Sequence, residues 1–236
     1  MMKVSIAVPV FEYYGFGVEM LDDMFRTVSQ QTLKDIEVVV SDHSVNTDIK
    51  DYCVKNEYDL NIKYILNEEG RGNPAINTNN AIDNSSGEII KIFQQDDFLY
   101  DTEALEKMYK VMNESSAQWY ACGAIHTRDN GHSFFNPMLP LLHEKMITDP
   151  GFNFIGGLSV LTIKNGVDIR FDPNVRMCLD VDFYYSMLLK YGEPILHHDV
   201  LIANRVRDDN TLMADVSEEE TQQEFEYVHK KFGMVK

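Results

Sequence analysis

Four short runs rich in β-branched residues, each leading into a segment of helical spacing, constrain the fold of this chain more than any other feature. The runs are Val4-Ser5-Ile6-Ala7-Val8, Ile36-Glu37-Val38-Val39-Val40, Ile62-Lys63-Tyr64-Ile65-Leu66 and Glu88-Ile89-Ile90-Lys91-Ile92-Phe93. Between and after them, helical spacing recurs in Leu21, Met24, Phe25 and Val28, then in Ile49, Tyr52 and Cys53, then from Asn77 to Ile82, and then in Leu105, Met108, Tyr109 and Met112. Strands alternating with helices imply right-handed crossovers and a parallel ladder. The expected class is therefore α/β, a mainly parallel central sheet flanked by helices. Pro9 is expected to end the first strand.

The second half is less regular. Trp119 to Ile125 and Leu158 to Ile163 read as strands, and Asp129 to Pro150 as one long loop. Val181 to Tyr191 reads as a helix with Phe183, Met187 and Leu188 facing inward. Ser217 to Phe232 is expected to be a terminal helix, opened by Ser-Glu-Glu-Glu with its acids at the positive end of the dipole.

Composition narrows the function. A length of 236 residues suits one domain. The net charge of −17 excludes a nucleic-acid partner and charge-driven binding to anionic membranes. A phosphate-bearing ligand must then be met locally, by a cation, a helix terminus or a few basic side chains. Cys53, Cys122 and Cys178 are too scattered for a disulfide framework or a zinc site. No run approaches the length of a membrane span, so a cytoplasmic protein is expected.

Asp96 and Asp97 close the Glu88–Phe93 strand, where open α/β folds place ligands. Two adjacent carboxylates repel one another, and a hard divalent cation bridging to phosphates removes that cost. The competing reading makes Asp97 the cap of a helix starting near Thr102, or puts both acids in a solvated turn.

The segments Val4 to Phe11, Ile36 to Asp42, Gly87 to Ile90 and Gln94-Gln95-Asp96-Asp97, in that order, resemble the family 2 glycosyltransferases. The segments Leu21 to Thr32, Phe154 to Ser159 and Leu179-Asp180-Val181-Asp182-Phe183 extend the resemblance to about residue 210. It implies the GT-A fold, Rossmann-like and binding a nucleotide sugar. One domain is expected over 1–236, with a donor half to about residue 100 and an acceptor half over about 101–215 as the resemblance implies, followed by the C-terminal helix over 216–236 read from its own sequence.

The activity so implied is transfer of a sugar, with inversion, from a nucleotide-diphosphate donor (a UDP-sugar above all) to a hydroxyl on a glycan or other acceptor. Pro9, Phe11, Asp42, Gln94 and Gln95 are the implied donor contacts, with Asp42 taking a uracil N3–H or a ribose hydroxyl. A turn aspartate bonded to its own backbone is the alternative at Asp42. The family's Arg-Asn pair falls at Thr78-Asn79, so Asn79 matches; Arg71 can substitute for the missing arginine at the diphosphate, with an exposed loop arginine as the commoner alternative. Arg205 and Arg207 fall on an Arg-X-His segment, where Arg207 can pair with phosphate as a fork. Asp96 and Asp97 match the metal acids, implying Mn²⁺ or Mg²⁺, with Gln94 where a carboxylate is usual.

Asp180 matches the catalytic base that takes the acceptor's proton, with Asp182 in reserve and an N-capping aspartate as the other reading. His197-His198-Asp199 is read as solvated or core histidines, because neighbours on a strand point oppositely. Two other classes remain: a non-catalytic nucleotide-sugar or glycan-binding module, and a sugar nucleotidyltransferase. The second lacks its basic Gly-rich loop, since Phe11 to Gly17 holds no basic residue.

Overall fold

The computed structural model describes residues 2–12, 15–145, 152–206 and 217–233. In the first half, β1 (Val4–Val10), β2 (Ile36–Asp42) and β3 (Ile62–Leu66) alternate with α1 (Gly17–Ser29) and α2 (Asp48–Lys55). Next come α3 (Pro74–Asp83), β4 (Ile89–Ile92), β5 (Phe98–Leu99) and α4 (Ala104–Asn113). The second half contributes β6 (Trp119–Thr127), β7 (Phe135–Met138), β8 (Leu161–Lys164), α5 (Leu179–Tyr191), β9 (Ile195–Arg205) and α6 (Glu218–Lys231). One sheet runs in the order β3-β2-β1-β4-β8-β6-β9-β5, with β7 paired to β6.

The first four strands are parallel, as the alternation requires, and their register builds the ligand edge. Val10 lies opposite Asp42, Asp42 opposite Leu66, and Ala7 opposite Ile92. Hence β1, β2 and β4 all release their chains at one carboxyl edge. Their continuous apolar runs are buried on both faces, as a parallel sheet covered by helices demands. α1 lays Leu21, Met24, Phe25 and Val28 into this core, and truncating Leu21 to alanine should cost about 2–5 kcal/mol.

Pro9 does not end β1. The β1–β4 ladder stops at Ala7 and Ile92, after which the Phe93 N–H donates to the Ala7 carbonyl at 3.0 Å. Pro9 faces the same side as Ala7, where β4 has already left, so its missing N–H interrupts no ladder bond.

The second half departs further from expectation. The stretch read as one loop contains β7, which pairs with β6 across a register shift. Leu158–Val160 is a 3₁₀ turn, and only Leu161–Lys164 is extended. α5 begins at Leu179, two residues earlier than expected, and its first half is buried on nearly every side. One face meets the sheet core, where Tyr184 stacks on Trp119 at 5.8 Å and Phe183 on Phe171 at 4.1 Å. The other meets α6, where Tyr185 contacts Phe232 edge-on at 4.5 Å. A helix covered on two sides shows no clean apolar stripe, so single-face periodicity misread its start. Among the described residues no helix is long and apolar enough to cross a membrane.

Candidate active site

The donor edge is held by polar bonds between segments far apart in sequence. Gln95 accepts the Phe11 N–H at 2.9 Å and donates to the Gly17 carbonyl at 2.8 Å, fastening both ends of the β1–α1 connection. Half-buried Pro9 and exposed Phe11 therefore stand beside the Gln94–Asp97 turn.

Asp42 is fully buried, with Oδ1 accepting the Ser44 N–H and Oδ2 the Tyr64 hydroxyl, both at 2.8 Å. Burial, then the bond to Asp42, pushes the Tyr64 phenol well above its ordinary value. Tyr64 thus lies between Asp42 and solvent on the β3 side.

His43 joins the end of β2 to the 67–72 loop. Its Nδ1 accepts the Gly72 N–H at 3.2 Å, which assigns the ring proton to Nε2, 3.1 Å from the Glu69 carbonyl. Burial chiefly, with the nearby Arg71 charge, holds the His43 pKa below its usual value, so the ring is neutral. Arg71 rides on this loop, partly exposed and only loosely paired with Glu68 at 3.5 Å.

Asp97 is the buried member of the acidic pair. Its oxygens accept the Asn204 amide at 2.7 Å, the Arg205 N–H at 3.1 Å and the Ser159 hydroxyl. Burial, then the Asp96 charge, raises its carboxyl pKa. These bonds anchor β9 to the end of β4, so Asp97 has a supporting task in place of the metal ligation expected from sequence. It caps no helix either, because β5 separates it from α4.

The donor set for a cation is therefore lean. Among the described residues no group of three or more His, Cys, Asp or Glu side chains could hold a metal ion. Half-buried Asp96 stands in the same turn as exposed Gln94. That set still fits Mg²⁺ or Mn²⁺ held by one carboxylate together with substrate phosphates and water.

Asp180 lies in the first turn of α5, past the Cys178 cap position, so the capping reading fails. Its Oδ2 accepts the Asn153 amide at 2.6 Å and its Oδ1 the Val181 N–H at 2.8 Å. Burial raises its pKa against these bonds.

Asn153 also accepts the Ile155 and Gly156 N–H groups at 2.8 and 3.0 Å. Gly156 has φ +124°, a conformation open to glycine, and the Tyr184 hydroxyl lies 3.1 Å from the Gly156 and Gly157 carbonyls. A Cβ at Gly157 would stand 3.9 Å from Gln94 Oε1. The loop holding Asp180 therefore reaches the acidic turn at Gln94.

Other expected residues fall elsewhere. Asn79 donates to the Phe171 carbonyl at 2.8 Å and accepts its N–H at 2.9 Å, which ties α3 to the Phe171 backbone and orients the amide away from the diphosphate role expected of it. Asp182 is buried against Lys231 at 2.7 and 2.9 Å and cannot serve as the reserve base. Arg205 is buried against Asp23 at 2.6 Å. His197 bonds the Tyr120 hydroxyl at 2.6 Å, in keeping with a structural histidine. Arg207 lies outside the described residues.

The family model for glycosyl transferase family 2 matches residues 5–164, more than half of the chain. The chain belongs to the family 2 glycosyltransferases. A curated member of similar sequence, the GalNAc(5)-diNAcBac-PP-undecaprenol beta-1,3-glucosyltransferase of Campylobacter jejuni, is 32% identical over 132 residues, which are 55% of this chain and 41% of that protein. An uncharacterized glycosyltransferase of Rickettsia conorii is 28% identical over 48% of this chain and 18% of its own length. The chain thus spans less than half the length of these two relatives.

Among solved structures, Staphylococcus aureus TarS 1–349 in complex with UDP-GlcNAc superposes with a TM-score of 0.72 at 17% identity, over 98% of this chain and 66% of that one. The mannosyltransferase PcManGT of Pyrobaculum calidifontis, in complex with GDP-Man and Mn²⁺, gives 0.62 at 15% identity, over 96% and 70%. These likenesses show the GT-A fold that the motif order implied.

Sequence reading missed His43, Asn153, Ser159, Glu224 and Lys231. Ser159 lies inside the Phe154–Ser159 segment, Asn153 directly before it and His43 directly after Asp42, so these three lay within reach of a motif. The others gain their roles from partners remote in sequence.

Proposed function

We propose that this chain transfers a sugar, with inversion, from a nucleotide-diphosphate donor to an acceptor hydroxyl, with Asp180 as general base. The observation that carries the reading is the half-buried Asp180 carboxylate, its pKa raised by burial, held by Asn153 on the loop that reaches Gln94.

The chemistry is a single displacement. The acceptor oxygen attacks the anomeric carbon from the face opposite the leaving group, its proton passes to Asp180, and the bond to the diphosphate breaks with both electrons leaving on oxygen. Gln94 and Gly157 line the junction where the two substrates meet, and Arg71 brings positive charge toward the diphosphate. Asp96 would hold a divalent cation, which when bound would neutralise the diphosphate charge.

A UDP-sugar is the donor we favour, supported by the UDP-GlcNAc complex of TarS and by Asp42 and Tyr64 on the base side. The Campylobacter relative is named for a diphospho-undecaprenol-linked glycan, which makes a glycan on a lipid carrier the first acceptor class to try.

Release of UDP from UDP-glucose and UDP-N-acetylglucosamine, with Mn²⁺ and with a chelator, is the deciding assay. Cation-dependent release that Asp180→Asn lowers at least about a hundredfold is expected. Tight donor binding without any release would favour the non-catalytic module, a reading the lean cation set also fits.

A further inference from the structure

We propose that α6 is a positioning element for the acceptor base, acting on Asp180 through Glu224 and Lys231. The inference rests on Asp180 being that base. Glu224 Oε1 accepts the Arg176 N–H at 2.5 Å, and Oε2 accepts the Met177 and Cys178 N–H groups at 2.6 and 2.7 Å. These three consecutive residues lead directly into α5. Their N–H groups sit at its positive end, where a carboxylate is stabilised and orphan donors are satisfied together.

The other end of α6 makes the matching contact beyond Asp180. Lys231 Nζ lies 2.7 and 2.9 Å from the two oxygens of Asp182 and 2.8 Å from Asp172. Unpaired, buried Asp182 would set a second negative charge in the turn that holds the base. Between the two contacts, Val228 packs with Val175 and Cys178 in a small apolar cluster of its own. Asp180 is therefore bracketed, its approach held by Glu224 and its following turn neutralised by Lys231. α6 starts with a Ser217–Glu220 capping box, so it is a formed helix in its own right. It also lies beyond residues 5–164, the extent of the family match.

The test uses full-length Glu224→Gln and Lys231→Met, with UDP release from UDP-glucose and UDP-N-acetylglucosamine measured where circular dichroism shows both variants folded. We expect kcat to fall at least about tenfold, because small misplacements of a reacting group are costly, while donor KM stays within about twofold. In an Asp180→Asn background the same changes should add less than about a further twofold, since residues acting as a unit are non-additive. A full additional loss in that background, or a lowered Tm with unchanged kcat, overturns the proposal. Wild-type turnover in Asp180→Asn alone overturns both this inference and the assignment of the base. Normal turnover in Glu224→Gln beside a loss in Asp180→Asn overturns this inference only. A readout free of turnover is amide exchange over residues 176–182. It should accelerate at least about tenfold in Glu224→Gln while β1 is unaffected, and unchanged exchange there also overturns the proposal.

Discussion

Asn153 Nδ2 stands 2.6 Å from Asp180 Oδ2, and this one bond couples the glycine loop beside Gln94 to the first turn of the acceptor-side helix. It also opposes the burial that raises the Asp180 pKa. Removing it in Asn153→Ala should move Asp180 further upward, so the acid limb of the kcat–pH profile shifts to higher pH. An unmoved limb would separate Asp180 from the rate-determining ionisation.

Asp180→Asn should cut turnover at least about a hundredfold with a Tm loss at neutral pH well below that of a core truncation, because relief of the buried charge offsets the amide set against Asn153. The sign follows from linkage. A carboxyl whose folded pKa is raised destabilises the protein as pH climbs above its unfolded value, and the neutral amide escapes that cost. A Tm loss at pH 7 comparable to that of a core truncation would refute this account of Asp180.

Asp96→Asn and Asp97→Asn should separate cleanly despite their adjacency. Asp96→Asn is expected to abolish the Mn²⁺-dependent Tm increase produced by UDP. Asp97→Asn sets an amide against donors from Asn204, Arg205 and Ser159, and should lower stability by about 1–3 kcal/mol. Thermal shift with and without a chelator reads both, and reversed behaviour would exchange their roles.

Tyr64→Phe removes the hydroxyl that bonds Asp42 Oδ2 and frees that oxygen for a nucleobase. UDP affinity in Tyr64→Phe should equal or exceed that of the native protein, while Asp42→Asn weakens it at least about tenfold, the loss of one hydrogen bond to a charged group. Calorimetry on folded variants decides. Equal affinity in Asp42→Asn would move the base site away from the end of β2.

Lys91 is fully buried in β4, its ammonium donating to the carbonyls of Ser159 and Leu161. Burial pulls its pKa down to about 8, with Cys122 and Asp97 opposing. The folded state then binds fewer protons than the unfolded one above pH 8, so this residue makes stability rise as pH increases from about 8 toward the ordinary lysine value. In Lys91→Met that contribution should vanish, which denaturant midpoints at pH 7.5 and 9.5 would register as a smaller difference than in the native protein. An identical difference would contradict the depressed lysine.

The alternation of β-branched runs with helical spacing was enough to determine a parallel sheet, its carboxyl edge and the place of Asp42 and Asp96 near it, whereas Asp180 was singled out only by the resemblance of its segment to a family motif. Hydrophobic period is a local property, and it survives in a single chain read without coordinates. What each carboxylate does was decided elsewhere. Asp97 meets Asn204 across 107 positions and Asp182 meets Lys231 across 49. Asn79 is tied to Phe171 across 92. A buried polar group must find a partner, and the partner is whichever group the folded chain brings within about 3 Å. No local pattern records that choice. Tertiary closure therefore bound Asp97 and Asp182 to partners far along the chain, while their neighbours Asp96 and Asp180 stay at the edge where the proposed chemistry would take place.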